Sequence, residues 1–181
     1  MRINDAQQIS DKMHAELRGP GGEITDVRDM QFKSSMGLVG HAHIELRGPD
    51  GSVKAIRDIV NTITELMDAH VADQMSDQGE AAIGYMAVGT GSGQTSASTG
   101  LAVSLERHAL DSTTQGAAGD DNDVIYVATW GAGVGTGAIT EAGILRADDN
   151  LTMMNYSDFA VINKGAADSL VITWTDTFGA S

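Results

Sequence analysis

Ser169-Leu170-Val171-Ile172-Thr173-Trp174-Thr175-Asp176-Thr177-Phe178 puts Leu, Ile and Trp at every second position, with Val and Thr between them. Successive side chains of a strand point to opposite faces, so this spacing is that of a strand with one face in a core. Working outward, Val124-Ile125-Tyr126-Val127-Ala128-Thr129-Trp130 reads the same way. So do Ile83-Gly84-Tyr85-Met86-Ala87-Val88, the stretch from Ile139 to Arg146, Leu151-Thr152-Met153-Met154-Asn155 and Phe159-Ala160-Val161-Ile162. Leu101 to Leu110 fits a strand or a helical turn. Asp120-Asp121-Asn122-Asp123 and Asp148-Asp149-Asn150 supply turns between them. Several short strands with short turns imply a mainly β fold, an antiparallel β-sandwich of jelly-roll-like kind over residues 81–181. Trp130 and Trp174 lie in apolar strands and are expected in its core.

The first third of the chain writes one hairpin twice. His14-Ala15-Glu16-Leu17-Arg18-Gly19-Pro20-Gly21-Gly22 and the following residues to Met30 return 29 positions later, from His43 to Ile59, with nine of seventeen positions identical. The tips, Gly19-Pro20-Gly21-Gly22 and Gly48-Pro49-Asp50-Gly51, have turn chemistry: Pro fixes φ and Gly permits positive φ. Residues 4–13 read as a short polar segment with about one helical turn, as single polar turns do. Ile56, Ile59, Val60, Ile63, Leu66, Met67 and Val71 recur at three- and four-residue spacing, which predicts an amphipathic helix from Ile56 to Met75. The expected organisation is therefore a duplicated hairpin arm (residues 1–55), a helix and linker (56–80) and the sandwich (81–181). A repeated module of strand and turn without a nucleophile is a building part, which tilts the reading toward assembly and away from catalysis.

Composition narrows the field. A chain of 181 residues buries roughly 70% of its unfolded surface, enough for a full core. There is no cysteine, which excludes disulfides, thiolate metal sites and cysteine nucleophiles. No apolar run approaches the ~20 residues of a membrane helix, and the polar start Met1-Arg2-Ile3-Asn4-Asp5 has no signal-peptide character, so synthesis in a cytoplasm is expected. The net charge of -14 repels phosphate backbones, arguing against nucleic acid as a partner. Eighteen Asp, seven Glu, seven Arg and only four Lys make an acidic, Lys-poor surface of the kind that stays soluble at high salt.

Motifs for chemistry are weak. Gly131-Ala132-Gly133-Val134-Gly135-Thr136-Gly137-Ala138 follows a strand, but the next stretch is too short and β-like for the helix a dinucleotide needs. Gly89-Thr90-Gly91-Ser92-Gly93 lacks the Gly-Lys-Ser/Thr of a phosphate loop. His41 and His43 share a strand face, yet a zinc site wants three or four ligands, and His14, His70 and His108 would have to converge with them. Asp120-Asp121-Asn122-Asp123 lacks calcium-loop spacing, with Ile125 in a ligand position. The expectation is no catalytic residue, no metal and no cofactor.

Tyr85-Met86-Ala87-Val88-Gly89-Thr90-Gly91 with Leu101, Leu105, Glu106 and Arg107, then Gly135-Thr136-Gly137-Ala138-Ile139-Thr140-Glu141-Ala142-Gly143-Ile144-Leu145, then the stretch from Val161 through Asn163-Lys164-Gly165 and Asp168 to Thr175, resemble in order the "IAVGTG", "GTGAITEAGIF" and "VNKGAADSLTITWT" stretches of a group of tailed-phage virion proteins. A hairpin and a helix precede the first motif in that group too. The resemblance covers roughly residues 41–178. These proteins are described variously as head decoration, minor structural or tail fibre proteins, so the resemblance implies a virion part. The extra hairpin at residues 14–30 departs from the simpler pattern.

Among virion parts, the leading expectation is a non-enzymatic capsid-surface cement or decoration protein on the outside of the virion, contacting the major capsid protein and copies of itself, a homotrimer being the expected state. The acidic surface suits a virus of a halophilic host. The hairpin tips, Gly19 to Gly22 and Gly48 to Gly51, are the expected partner contacts. Val88, Gly89, Thr90, Gly91, Thr140, Glu141, Ala142, Gly143, Asn163, Lys164, Gly165 and Asp168 are the motif positions, expected to hold the fold. The alternatives are a tail fibre, baseplate or connector part, and a host-surface carbohydrate-binding module using Tyr85 or Tyr156.

Overall fold

The computed structural model describes residues 10–18, 24–33 and 37–179, the first two stretches by backbone alone. The chain is mainly β, and it divides into two compact units. The smaller unit carries β1 (Ser10–Arg18) and β2 (Ile24–Lys33), an antiparallel sheet of two strands. The larger unit spans Val39–Thr177 and is an antiparallel β-sandwich of two five-stranded sheets with one helix.

One sheet has the order β4-β3-β12-β9-β8, made of β3 (Leu38–Arg47), β4 (Val53–Val60), β8 (Ser112–Gln115), β9 (Asp123–Trp130) and β12 (Ser169–Phe178). The other has the order β5-β11-β10-β6-β7, made of β5 (Thr62–Ile63), β6 (Tyr85–Gly89), β7 (Ser104–Ala109), β10 (Gly137–Leu145) and β11 (Met153–Lys164). The chain lays a hairpin in one sheet, crosses to the other, and repeats this until β12 closes the first sheet between β3 and β9. The inner faces meet through Ile44, Leu46, Met86, Val88, Ile139, Ile144, Ile162, Leu170, Ile172, Trp130 and Trp174, all buried. Both tryptophans are fully enclosed, as expected.

Four expectations are corrected. The second hairpin is no arm: β3 and β4 are strands of the sandwich, which therefore begins near residue 38 rather than 81. The helix does not begin at Ile56. Residues Val53–Val60 pair with β3, from Arg47↔Val53 to His41↔Val60, and the helix α1 occupies only Glu65–Ser76. Ile56, Ile59, Val60 and Ile63 satisfy helical spacing by coincidence. Being β-branched they are stiff at χ1 and favour a pleated surface, and the partner strand decides. The two apolar stretches at 151–155 and 159–162 are one strand, Met153–Lys164, continuous across a register shift opposite Ile139 and Glu141. Ser10 onward belongs to β1, not to a helical turn. β8 carries no apolar residue, so alternation had nothing to mark it.

Candidate functional site

The motif residues gather into two polar nodes inside the fold. In the first, β10 carries Glu141 at a position with no solvent exposure. Its carboxylate accepts hydrogen bonds from three backbone N–H groups: Gly91 at 2.8 Å and Val103 at 2.9 Å on Oε1, and Ala102 at 3.1 Å on Oε2. Thr140 Oγ1 donates to the Gly91 carbonyl at 2.7 Å, and the Thr90 N–H to the Val103 carbonyl at 3.0 Å. A buried carboxylate is tolerated only when its oxygens are satisfied, and this one is satisfied by the two ends of the 90–103 loop. The glycines follow from the same geometry. A Cβ on Gly89 would lie 2.5 Å from Glu141 Oε1 and from the Val103 carbonyl oxygen, and one on Gly91 would lie 2.6 Å from Ala102 Cβ. Val88-Gly89-Thr90-Gly91 and Thr140-Glu141-Ala142-Gly143 are thus two halves of one staple.

Pinned by this staple, the 90–103 loop covers the outer face of its sheet. Leu101 packs with Ala87, Leu145, Met153 and Tyr156 in a second small core, with Tyr85 at its border. The Met153 N–H donates to the Thr99 carbonyl and the Glu65 N–H to that of Ser96, each at 2.8 Å. Thr64 Oγ1 donates to the carbonyls of Met153 and Met154, which ties the start of α1 to β11, and Met67 and His70 are its buried residues.

The second node is the β11–β12 turn. Lys164 is 2% exposed, and its Nζ donates to the carbonyls of Gly131 (2.8 Å) and Asp168 (2.7 Å). Asp168 Oδ2 accepts from Lys54 Nζ at 2.7 Å and from the Gly165 N–H at 2.9 Å. The Lys54 hydrogen bond, then that of Gly165, holds the Asp168 carboxyl below the usual carboxylate range, while loss of hydration pulls the Lys164 ammonium down. The Gly133 N–H donates to the Ala166 carbonyl at 2.7 Å, so the glycine-rich 131–138 stretch is a strand connection braced by this turn.

A third polar group lies outside the motif positions. Asp176 continues the inward series Leu170, Ile172, Trp174 and is fully buried between the sheets. Asn155 Nδ2 reaches both of its oxygens, at 2.7 and 2.6 Å. Burial nonetheless outweighs this bond and pushes the carboxyl up to about 7. The strict alternation of β12 assigns Asp176 to the core face, and that signal was available in the sequence.

What remains open to solvent is the outer face and edge of the β4-β3-β12-β9-β8 sheet. His41 and His43 on β3 and Asp58 and Val60 on β4 are exposed, with Thr173 and Thr175 of β12 half-buried beside them. Together they line a shallow depression of about 220 Å³. His43 Nδ1 lies 2.6 Å from Asp58 Oδ1. Among the described residues no three His, Cys, Asp or Glu side chains group closely enough to hold a metal ion. β4 is the edge strand, and Val53, Ile56 and Val60 on it are 48%, 46% and 64% exposed. Its tip, Gly48 to Gly51, is a tight turn in which Gly51 has φ 81° and Asp50 Oδ1 accepts from the Ser52 N–H and hydroxyl. Pro49, Asp50 and Gly51 are exposed there while Gly48 is buried. The other tip, Gly19 to Gly22, lies outside the described residues.

No family model matches this chain, and neither a curated protein nor a solved structure does.

Proposed function

We propose that this is a non-enzymatic virion structural protein, a cement or decoration protein on the outer surface of a tailed-virus capsid, which binds the major capsid protein and other copies of itself, as a trimer. The observation that supports this reading most is the use to which the motif residues are put. The sequence stretches that resemble the virion group supply Glu141, Gly89, Gly91, Lys164 and Asp168, and these side chains and glycines meet backbone and one another inside the fold. A motif that secures a rigid sandwich leaves recognition to edges, tips and open faces, as a repeated particle contact requires. Each contact can then be weak, since many copies on one shell bind with avidity.

The enclosure of Trp130 and Trp174 leaves neither ring free to stack on a sugar, which favours the shell over the glycan-binding alternative. The Asp-rich surface, carrying a net charge of -14, fits a particle that works at high salt.

The test is the copy number of the chain in purified particles, by quantitative mass spectrometry against the most abundant shell protein. One copy per shell subunit, or one to a few, supports decoration. One to many moves the protein to the tail or a vertex, and absence from particles overturns the virion reading.

A further inference from the structure

The sequence repeat is also a repeat of backbone pairing. In the first hairpin, Lys12↔Gln31, Met13↔Met30, His14↔Asp29, Ala15↔Arg28, Glu16↔Val27 and Leu17↔Asp26 are partners, and a register shift follows before Arg18↔Ile24. Adding 29 to each number gives the pairing of the second hairpin, from His41↔Val60 to Leu46↔Ala55, then a shift before Arg47↔Val53. Seven pairs and the bulge coincide. The register positions that β3 fills with the buried Ala42, Ile44 and Leu46 are Met13, Ala15 and Leu17 in β1. The first hairpin therefore keeps the pattern of a module made to extend a sheet. In its own sandwich that place is already filled by β3 and β4.

A lone two-stranded sheet is marginally stable in water and gains by joining another sheet. The sandwich offers an edge: β4 is eight residues long with three exposed apolar side chains, whereas the opposite edge, β8, is four exposed polar residues. Charge points the same way. Residues 1–38 hold five of the chain's eleven Lys and Arg and six of its 25 Asp and Glu, leaving a net of -13 on residues 39–181. Two such sandwiches repel one another, while a nearly neutral, cation-rich arm approaches an acidic sandwich without that penalty.

We infer that the β1–β2 hairpin of one copy adds to the β4 edge of a second copy, so that a sheet runs from one subunit into the next. The contact is heterologous, arm to edge, and closes into a ring when the rotation between copies allows. It specifies how copies of the chain meet. Its test needs no particle, so its failure leaves the particle copy-number test untouched.

Complementation tests it, with mass in solution read by light scattering. Ile56→Lys with Val60→Lys puts charge on the edge and leaves the arm intact. Val27→Pro breaks the arm and leaves the edge intact. A retained thermal transition shows that each variant keeps its sandwich. The expected result is a multiple of 18.9 kDa for the natural chain, a single copy for either variant alone, and a two-copy species when the variants are mixed. A single-copy natural chain overturns the inference, and so does either variant that assembles normally. Variants that are both monomeric and do not pair on mixing overturn it too, because then arms meet arms, edges meet edges, or the arm folds back on its own copy.

Discussion

The two outer faces of the sandwich were built from the same strand chemistry and ended differently. On the β5-β11-β10-β6-β7 sheet the face is covered by the 90–103 loop, with α1 against β11, and β6 after Tyr85 and β10 from Glu141 to Leu145 are buried. On the β4-β3-β12-β9-β8 sheet the face is open, and its outward positions are Thr, Val and His among half-buried neighbours. Covering a sheet with irregular chain removes backbone N–H groups from water, and they must find partners. One carboxylate, Glu141, does this for three of them. The open face has no such obligation, since water serves its polar groups.

This contrast can be broken most sharply at Glu141. Glu141→Ala leaves three buried donors unpaired and opens a void, at an expected cost of about 3–5 kcal/mol by denaturant unfolding. Amide hydrogen exchange at Gly91, Ala102 and Val103 should rise before the rest of the sheet opens, and unchanged exchange there would sink the staple. Leu101→Ala removes the apolar plug under the same loop and should cost about 2–4 kcal/mol in the same unfolding measurement. Loss of less than ~1 kcal/mol would mean that the loop lies on the face without packing into it.

Asp176, in the interior that both sheets share, makes a pH prediction. Its folded pKa, about 7, lies above the unfolded value of 3.8, so between these values the folded state holds more protons than the unfolded one. Stability from this group is full below about pH 4 and is lost as pH rises toward 7. Asp176→Asn should remove that decline and raise the melting temperature near neutral pH, by an amount corresponding to about 1–3 kcal/mol. A variant whose melting temperature falls with pH as the natural chain's does would refute the assignment. On the open face, Thr173→Val should change stability by no more than about 0.5 kcal/mol, since no core contact is lost. A large loss would mean that this face is covered after all.

Legibility in the sequence follows the same contrast. Strands with one open face announce themselves by alternation, so β12 and β9 were readable; the same alternation assigns Asp176 to the core side, although the sequence reading did not single it out. β4 was misread because its apolar residues also fit a helical period, and only the partner β3, fifteen residues away at His43↔Asp58, removes the ambiguity. The membership of β3 and β4 in the sandwich could not be read locally, because it depends on β12 at the far end of the chain. The staple was half legible. Glu141 and Thr140 read as fold-holding positions, but what they hold is a backbone 38 to 50 residues away, and no spacing rule encodes that meeting.

The chain has four lysines, and the two whose side chains are described, Lys54 and Lys164, both bind Asp168. Lysine chemistry is therefore concentrated, within the sandwich, at a single turn. An amine-reactive label applied to the native protein marks the exposed Lys54 directly, but modification read at the buried Lys164 by peptide mapping is a reporter of that turn, appearing only in the fraction of molecules where the β11–β12 connection has come apart.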